Sequence, residues 1–109
     1  MTPVDRLRLC VLPSRQALPW RWDLAQLELG CRVGWPLPGT TNWAQRTQSL
    51  AADFNAEEGH IALAFEGYAL VGALWSHREQ GRDIVCGPYV MPQYRDCELA
   101  KLLLRILHP

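Results

Sequence analysis

From Val90 to Leu104 the chain reads Val-Met-Pro-Gln-Tyr-Arg-Asp-Cys-Glu-Leu-Ala-Lys-Leu-Leu-Leu. An apolar strand stops at a proline, a short polar turn follows, and leucines at helical spacing begin at once. A helix that starts this way presents first-turn N–H groups with no acceptor inside the helix. Those donors, with the positive end of the helix dipole, are suited to hold a phosphorylated ligand. The fold must therefore set the end of a strand beside the start of a helix.

The rest of the chain supplies the partners for that junction. Residues 7–12 alternate at their start and read as a first strand ended by Pro13. Pro19 fits the first position of a helix in which Leu24, Leu27 and Cys31 share a face, with Gly30 as its left-handed terminator. Residues 33–39 form a loop around Trp35. Thr41 is suited to cap a second helix that lines up Trp43, Thr47, Leu50 and Phe54 and ends within residues 55–59. Residues 61–65 and 68–77 form a hairpin across Glu66-Gly67. Residues 79–82 turn into a last strand at 83–91, and residues 98–107 form a helix that buries Leu99, Leu102, Leu103 and Ile106. The order β-α-α-β-β-β-α predicts an α+β fold on a mostly antiparallel sheet, organised as one domain over residues 1–109.

Composition narrows the function. Eleven basic and eleven acidic side chains cancel among 109 residues, and no lysine or arginine run occurs. Neither nucleic acid nor an anionic membrane is an expected partner. The longest apolar stretch, residues 61–75, is broken by Glu66-Gly67 and is too short in each half to span a bilayer as a helix. Residues 1–13 lack a secretory pattern, so a cytoplasmic location is expected. Cys10, Cys31, Cys86 and Cys97 form no C-x-x-C pair and have no histidine at metal-ligand spacing, so they read as small buried hydrophobes with no metal site.

Three local patterns carry a family resemblance. Glu66-Gly67-Tyr68-Ala69-Leu70-Val71-Gly72 looks like a hairpin with a turn glycine and a Val-Gly inside its second strand. Cys86-Gly87-Pro88-Tyr89-Val90 looks like a bulged fourth strand, since Gly87 is conformationally free and Pro88 has no N–H to donate. Val90-x-Pro92-x-Tyr94-Arg95 before a leucine-rich helix looks like an acetyl-CoA loop. In this order they resemble the GNAT superfamily of N-acetyltransferases, and the element order is similar to the first two-thirds of that domain. The resemblance implies transfer of an acetyl group from acetyl-CoA to an amine acceptor, a small molecule or a peptide. It implies a cofactor site at Tyr89, Val90, Arg95, Asp96, Cys97, Glu98, Leu99 and Ala100.

Two features depart from the family pattern. Asp96 and Glu98 stand where glycines are usual, and at ~4–6 Å with an effective dielectric near 20 each like-charge contact with a pyrophosphate costs a few kcal/mol before screening. The same carboxylates read better as helix caps favoured by the dipole. The chain also ends after the motif helix, whereas a complete domain continues with further strands and a helix. Strand 83–90 is then an exposed edge, for which a homodimer or another partner is the expected cover.

Acetyl transfer needs a base for the ammonium and an acid for the leaving thiolate. His77, Glu79, Asp83, Cys86 and Tyr89 lie on or near the last two strands, with Tyr89 and His77 the catalytic candidates and no acid–base pair defined. Glu57-Glu58 reads as a solvated pair. Trp20, Trp22, Trp35 and Trp43 either complete the core or border an acceptor cleft. Two functions follow: an acetyltransferase, or a non-catalytic interaction or assembly domain on the same fold that has lost cofactor binding.

Overall fold

The computed structural model describes residues 6–34, 42–56, 59–95 and 98–108, and for Val33, Ala56 and residues 77–79 the backbone alone. Four strands form one antiparallel sheet in the order β1-β2-β3-β4: β1 Arg8–Pro13, β2 His60–Glu66, β3 Ala69–Glu79 and β4 Arg82–Val90. Helices α1 Arg21–Val33 and α2 Trp43–Ala56 fall between β1 and β2, and α3 Leu99–Leu107 follows β4. The α+β class and the element order agree with the sequence reading. Among the described residues no helix is long and apolar enough to cross a membrane.

Alternation along the strands divides the core into two layers. Ile61, Leu63, Phe65, Ala73 and Trp75 face α1 and α2, where they meet Leu24, Leu27, Leu50 and Phe54. Ala62, Ala64, Val71, Leu74 and Val90 face α3 and meet Leu99 and Leu103. β2 is buried on both faces, which is why its His60–Glu66 sequence is apolar throughout its interior. Leu24, Leu50, Leu99 and Leu103 are fully buried, each contributing about 1.5–3 kcal/mol of transfer free energy. Leu102 and Ile106 are only half-buried, so α3 sits on the sheet with a narrower face than its leucine content suggests.

Gly72 explains how close α3 comes. A Cβ there would lie 3.0 Å from Leu99 Cδ2 and 3.3 Å from Leu103 Cδ1. The missing side chain on β3 is the seat of the helix, which gives the Val71-Gly72 pattern a packing reason.

Two local expectations are corrected. Pro19 does not open an α-helix; it lies inside a 3-10 turn, Ser14–Trp20, and α1 starts just after it. Gly30 does not end α1: the helix runs on to Val33, and Gly34 at φ 109° takes the terminating role, its N–H donating to the Gly30 carbonyl. Cys31 thus stays on the helix and faces β4. Thr41 lies outside the described residues, and the visible cap of α2 is Asn42, whose Oδ1 accepts from the Gln45 N–H at 3.2 Å while its Nδ2 donates to Gln45 Oε1 at 2.7 Å. The second turn falls at residues 79–82 as expected, with Gln80 and Gly81 at φ 53° and 77°, the two-residue pattern that matches strand twist.

Candidate functional site

The junction of β4 and α3 is built from backbone conformation. Ala73 pairs with Tyr89 and Trp75 with Cys86, so Gly87 and Pro88 together oppose Leu74. This is a β-bulge at the expected place, with Gly87 at φ 107°. Below it the Met91 N–H donates to the Val71 carbonyl, so main-chain groups of Val90 point the other way, to the side of β4 away from β3. The Val90 carbonyl there accepts from the Cys31 Sγ at 3.3 Å.

A 3-10 turn, Pro92–Tyr94, then carries the chain off the sheet. Tyr94 is buried, and its hydroxyl donates to the Glu66 carboxylate at the end of β2, which pins the turn to the β2–β3 hairpin. The Arg95 N–H donates to the Pro92 carbonyl at 3.3 Å, so it is not among the outward donors expected from Arg95 to Ala100. Asp96 and Cys97 lie outside the described residues.

Glu98 is the informative residue. It precedes α3 with φ 63° and ψ 11°, in the left-handed region, and its side chain makes no capping hydrogen bond. The capping reading therefore fails for this carboxylate: it points to solvent, 3.9 Å from an equally exposed Lys101 Nζ. A non-glycine residue in this conformation costs on the order of 1–2 kcal/mol. The chain holds the backbone shape a glycine would adopt freely, at the position where the family motif has glycine. Glu98 also supplies the first helical acceptor, taking the Leu102 N–H at 3.1 Å. The N–H groups of Leu99, Ala100 and Lys101 come before that bond and have no acceptor within the helix. The Leu99 side chain is fully buried against Gly72, so only its main chain is available at this point.

A second cluster lies on the other side of β4, under α1 and α2. Glu28 is 2 % exposed and takes a two-pronged ion pair from Arg46, whose Nη2 donates to Oε1 at 2.7 Å while Nε donates to Oε2. The Tyr89 hydroxyl donates weakly to the same Oε1 at 3.4 Å, and its ring packs on Trp75 with centroids 5.3 Å apart. Burial, reinforced by the negative charge of Glu28, pushes the Tyr89 phenol up to about 12. The same two causes raise the Cys86 thiol, which supports an inert role. Arg46 is held more firmly protonated by its hydrogen bond to Glu28.

Tyr89 and Val90 fall on opposite faces of β4, one in this cluster and one against α3. Of the other acid–base candidates, Cys86 packs in the same cluster as Tyr89. His77 pairs with Ile84 and Glu79 with Arg82, further up the ladder, with their side chains outside the described residues. Asp83 is exposed at the far end of β4. Glu28 and Arg46 were missed in the sequence, although a signal existed. Glu28 falls on the apolar stripe of Leu24, Leu27 and Cys31, and Arg46 borders that of Trp43, Thr47 and Leu50.

The tryptophans separate into two places. Trp22 and Trp43 meet edge to face at 5.6 Å, with Trp43 Nε1 donating to the Trp22 carbonyl, while Trp20 packs on Phe65 at 5.5 Å. Trp35 and the Glu57-Glu58 pair lie outside the described residues. Among the described residues no group of three or more His, Cys, Asp or Glu could hold a metal ion.

No protein-family model and no curated protein matches the sequence. Solved structures do match. An acetyltransferase of the GNAT family from Staphylococcus aureus superposes with a TM-score of 0.65 at 14% identity, over 92% of this chain and 63% of that one. An aminoglycoside acetyltransferase from an uncultured soil metagenomic sample gives 0.65 at 17% identity, over 94% and 67%. PaiA N-acetyltransferase from Thermoplasma acidophilum, solved with coenzyme A, gives 0.59 at 15% identity, over 91% and 69%. The chain thus spans a little under two-thirds of the length of the S. aureus protein. At these identities the likeness is one of architecture. Superposed over more than nine-tenths of its length on each of these three enzymes, the chain has a GNAT-like fold.

Proposed function

We propose that the chain binds acetyl-CoA along β4 and the start of α3 and takes part in acetyl transfer to an amine acceptor. One observation carries this reading: the left-handed backbone of Glu98, which keeps a glycine's conformation at the motif position despite its cost. A bulged strand leading into that turn, with open N–H groups on Leu99, Ala100 and Lys101, fits a thioester cofactor with an amide-bearing arm and a pyrophosphate.

In this reading the main chain of Tyr89 and Val90 holds the pantetheine arm. Arg95, Asp96, Cys97, Glu98, Leu99 and Ala100 surround the pyrophosphate, with Arg95 and Lys101 offsetting part of the acidic charge. The bound cofactor supplies an activated acetyl thioester. Tyr89 keeps its proton at neutral pH and is suited to donate it, not to accept one. His77 is the other candidate for proton transfer. An aminoglycoside acetyltransferase among the structural neighbours favours an amine-bearing small molecule as acceptor. A homodimer covering the free edge of β4, a single-domain organisation and a cytoplasmic setting belong to the same reading.

Calorimetric titration of the purified protein with acetyl-CoA tests it. Micromolar binding is expected. Absence of heat at millimolar ligand would instead leave a non-catalytic interaction or assembly domain, in which the Glu98 carboxylate at the helix start excludes the pyrophosphate. Light scattering that returns a clean monomer removes the homodimer from the proposal.

A further inference from the structure

At the end of the sheet opposite the α3 start, a cleft of about 690 Å³ opens between β1, the beginning of β2, the beginning of β4 and the end of α3. Ser14 lies in its wall at 2 % exposure, and its Oγ has no hydrogen-bond partner among the described residues. An orphaned hydroxyl costs about 1–3 kcal/mol, so a site that retains one calls for an explanation. Nothing about local geometry supplies it: the Ser14 N–H is satisfied by the Gly59 carbonyl at 2.9 Å, and the side chain alone is unmatched.

The surroundings supply a reason. Gly59 lets the backbone pack tightly beside this hydroxyl, because a Cβ there would stand 2.2 Å from the Ser76 carbonyl oxygen and 3.1 Å from Ser14 Oγ. Exposed Arg15, His60 and His108 line the cleft, so its donors include one fixed cation, two imidazoles and the buried hydroxyl. The acidic lining residue, Asp83, is exposed and carries an interaction of its own. Among the described lining residues, one guanidinium and two imidazoles thus stand with one carboxylate around a hydroxyl that needs a partner.

We propose that this cleft binds a small oxyanion, phosphate or carboxylate, with one ligand oxygen on Ser14 Oγ and the others on Arg15 and the two histidines. It is separate from the acetyl-CoA reading and stands if that reading fails.

Backbone amide shifts followed by NMR test it, with sodium phosphate and sodium acetate titrated separately against sodium chloride at matched ionic strength. Saturable shifts at Ser14, Gly59 and His60 are expected with one of the two anions and not with chloride, and the anion that saturates names the ligand class. Ser14→Ala should weaken the midpoint by about tenfold, since it removes a buried partner of a charged ligand. Arg15→Gln, an exposed position that leaves folding intact, should weaken it as well and decides the matter if the Ser14 variant does not fold. Shifts that stay linear to ~50 mM for both anions, or an unchanged midpoint in both variants, overturn the proposal.

Discussion

Glu28 and Glu98 are acidic residues on either side of β4, and they hold their places by opposite means. Glu28 is fixed by its side chain: it is buried, paired with Arg46 and touched by the Tyr89 hydroxyl. Glu98 is set apart by its main chain: its carboxylate is exposed and uncapped, and its left-handed φ lies between the buried Tyr94 and the buried Leu99. Replacing Glu28 changes a buried charge balance, whereas replacing Glu98 changes a backbone preference. One region is held by chemistry within the core, the other by the path of the chain.

The largest effect separates these two directly. Glu28→Ala leaves the Arg46 guanidinium half-buried without its carboxylate and should lower the unfolding free energy in urea by about 3 kcal/mol. A paired replacement of Glu28 and Arg46 by leucine should cost much less, because no charge is left behind. Equal losses in the two would show that the ion pair is not what positions this cluster.

Next in size is the seat of α3. Gly72→Val forces Leu99 and Leu103 to move and should cost about 2 kcal/mol by overpacking. Fluorescence-detected urea denaturation measures it, and an unchanged midpoint would mean that α3 is not held against β3. Glu98→Gly should act the other way. It relieves the left-handed strain and should raise stability by up to about 1 kcal/mol, net of the added freedom of glycine in the unfolded chain. Glu98→Ala, which removes the charge and keeps the strain, should not.

The smallest effect is a pH limb. Because burial and Glu28 raise the Tyr89 phenol from 10.0 to about 12, the folded state binds more protons than the unfolded state between those values. This contribution is complete below pH 10 and is lost as pH rises towards 12. Tyr89→Phe should flatten the alkaline fall in thermal midpoint over that window. An unchanged slope would mean that the phenol is not shielded.

Much of this architecture was legible in the residues. The order of elements, the hairpin at Gly67, the bulge at Gly87-Pro88 and the passage from Val90 into a leucine helix all follow from local signals that need no distant partner. What escaped depends on contacts far apart in the chain. Gly30 looked like a helix end because glycine is a common terminator, but α1 continues and Gly34 terminates it. Glu28 and Arg46 are 18 residues apart and meet only when α1 packs on α2. The carboxylate of Glu98 read as a cap because residue type suggested it, whereas tertiary packing puts the main chain in a region from which the side chain does not cap. The buried Ser14 hydroxyl had no signal in the sequence, since its isolation arises from the close approach of Gly59 and Ser76.

Acetyl-CoA titration of Glu98→Gly beside the unaltered protein is the most direct measurement of whether the β4–α3 turn keeps a cofactor cradle. If the glycine conformation is already built in and the carboxylate is the obstacle, the variant should bind at least about tenfold more tightly, as expected from removing one like charge beside the pyrophosphate. Identical affinity would mean that the carboxylate is no obstacle, and no binding by either protein would mean that the left-handed turn at Glu98 serves the fold alone.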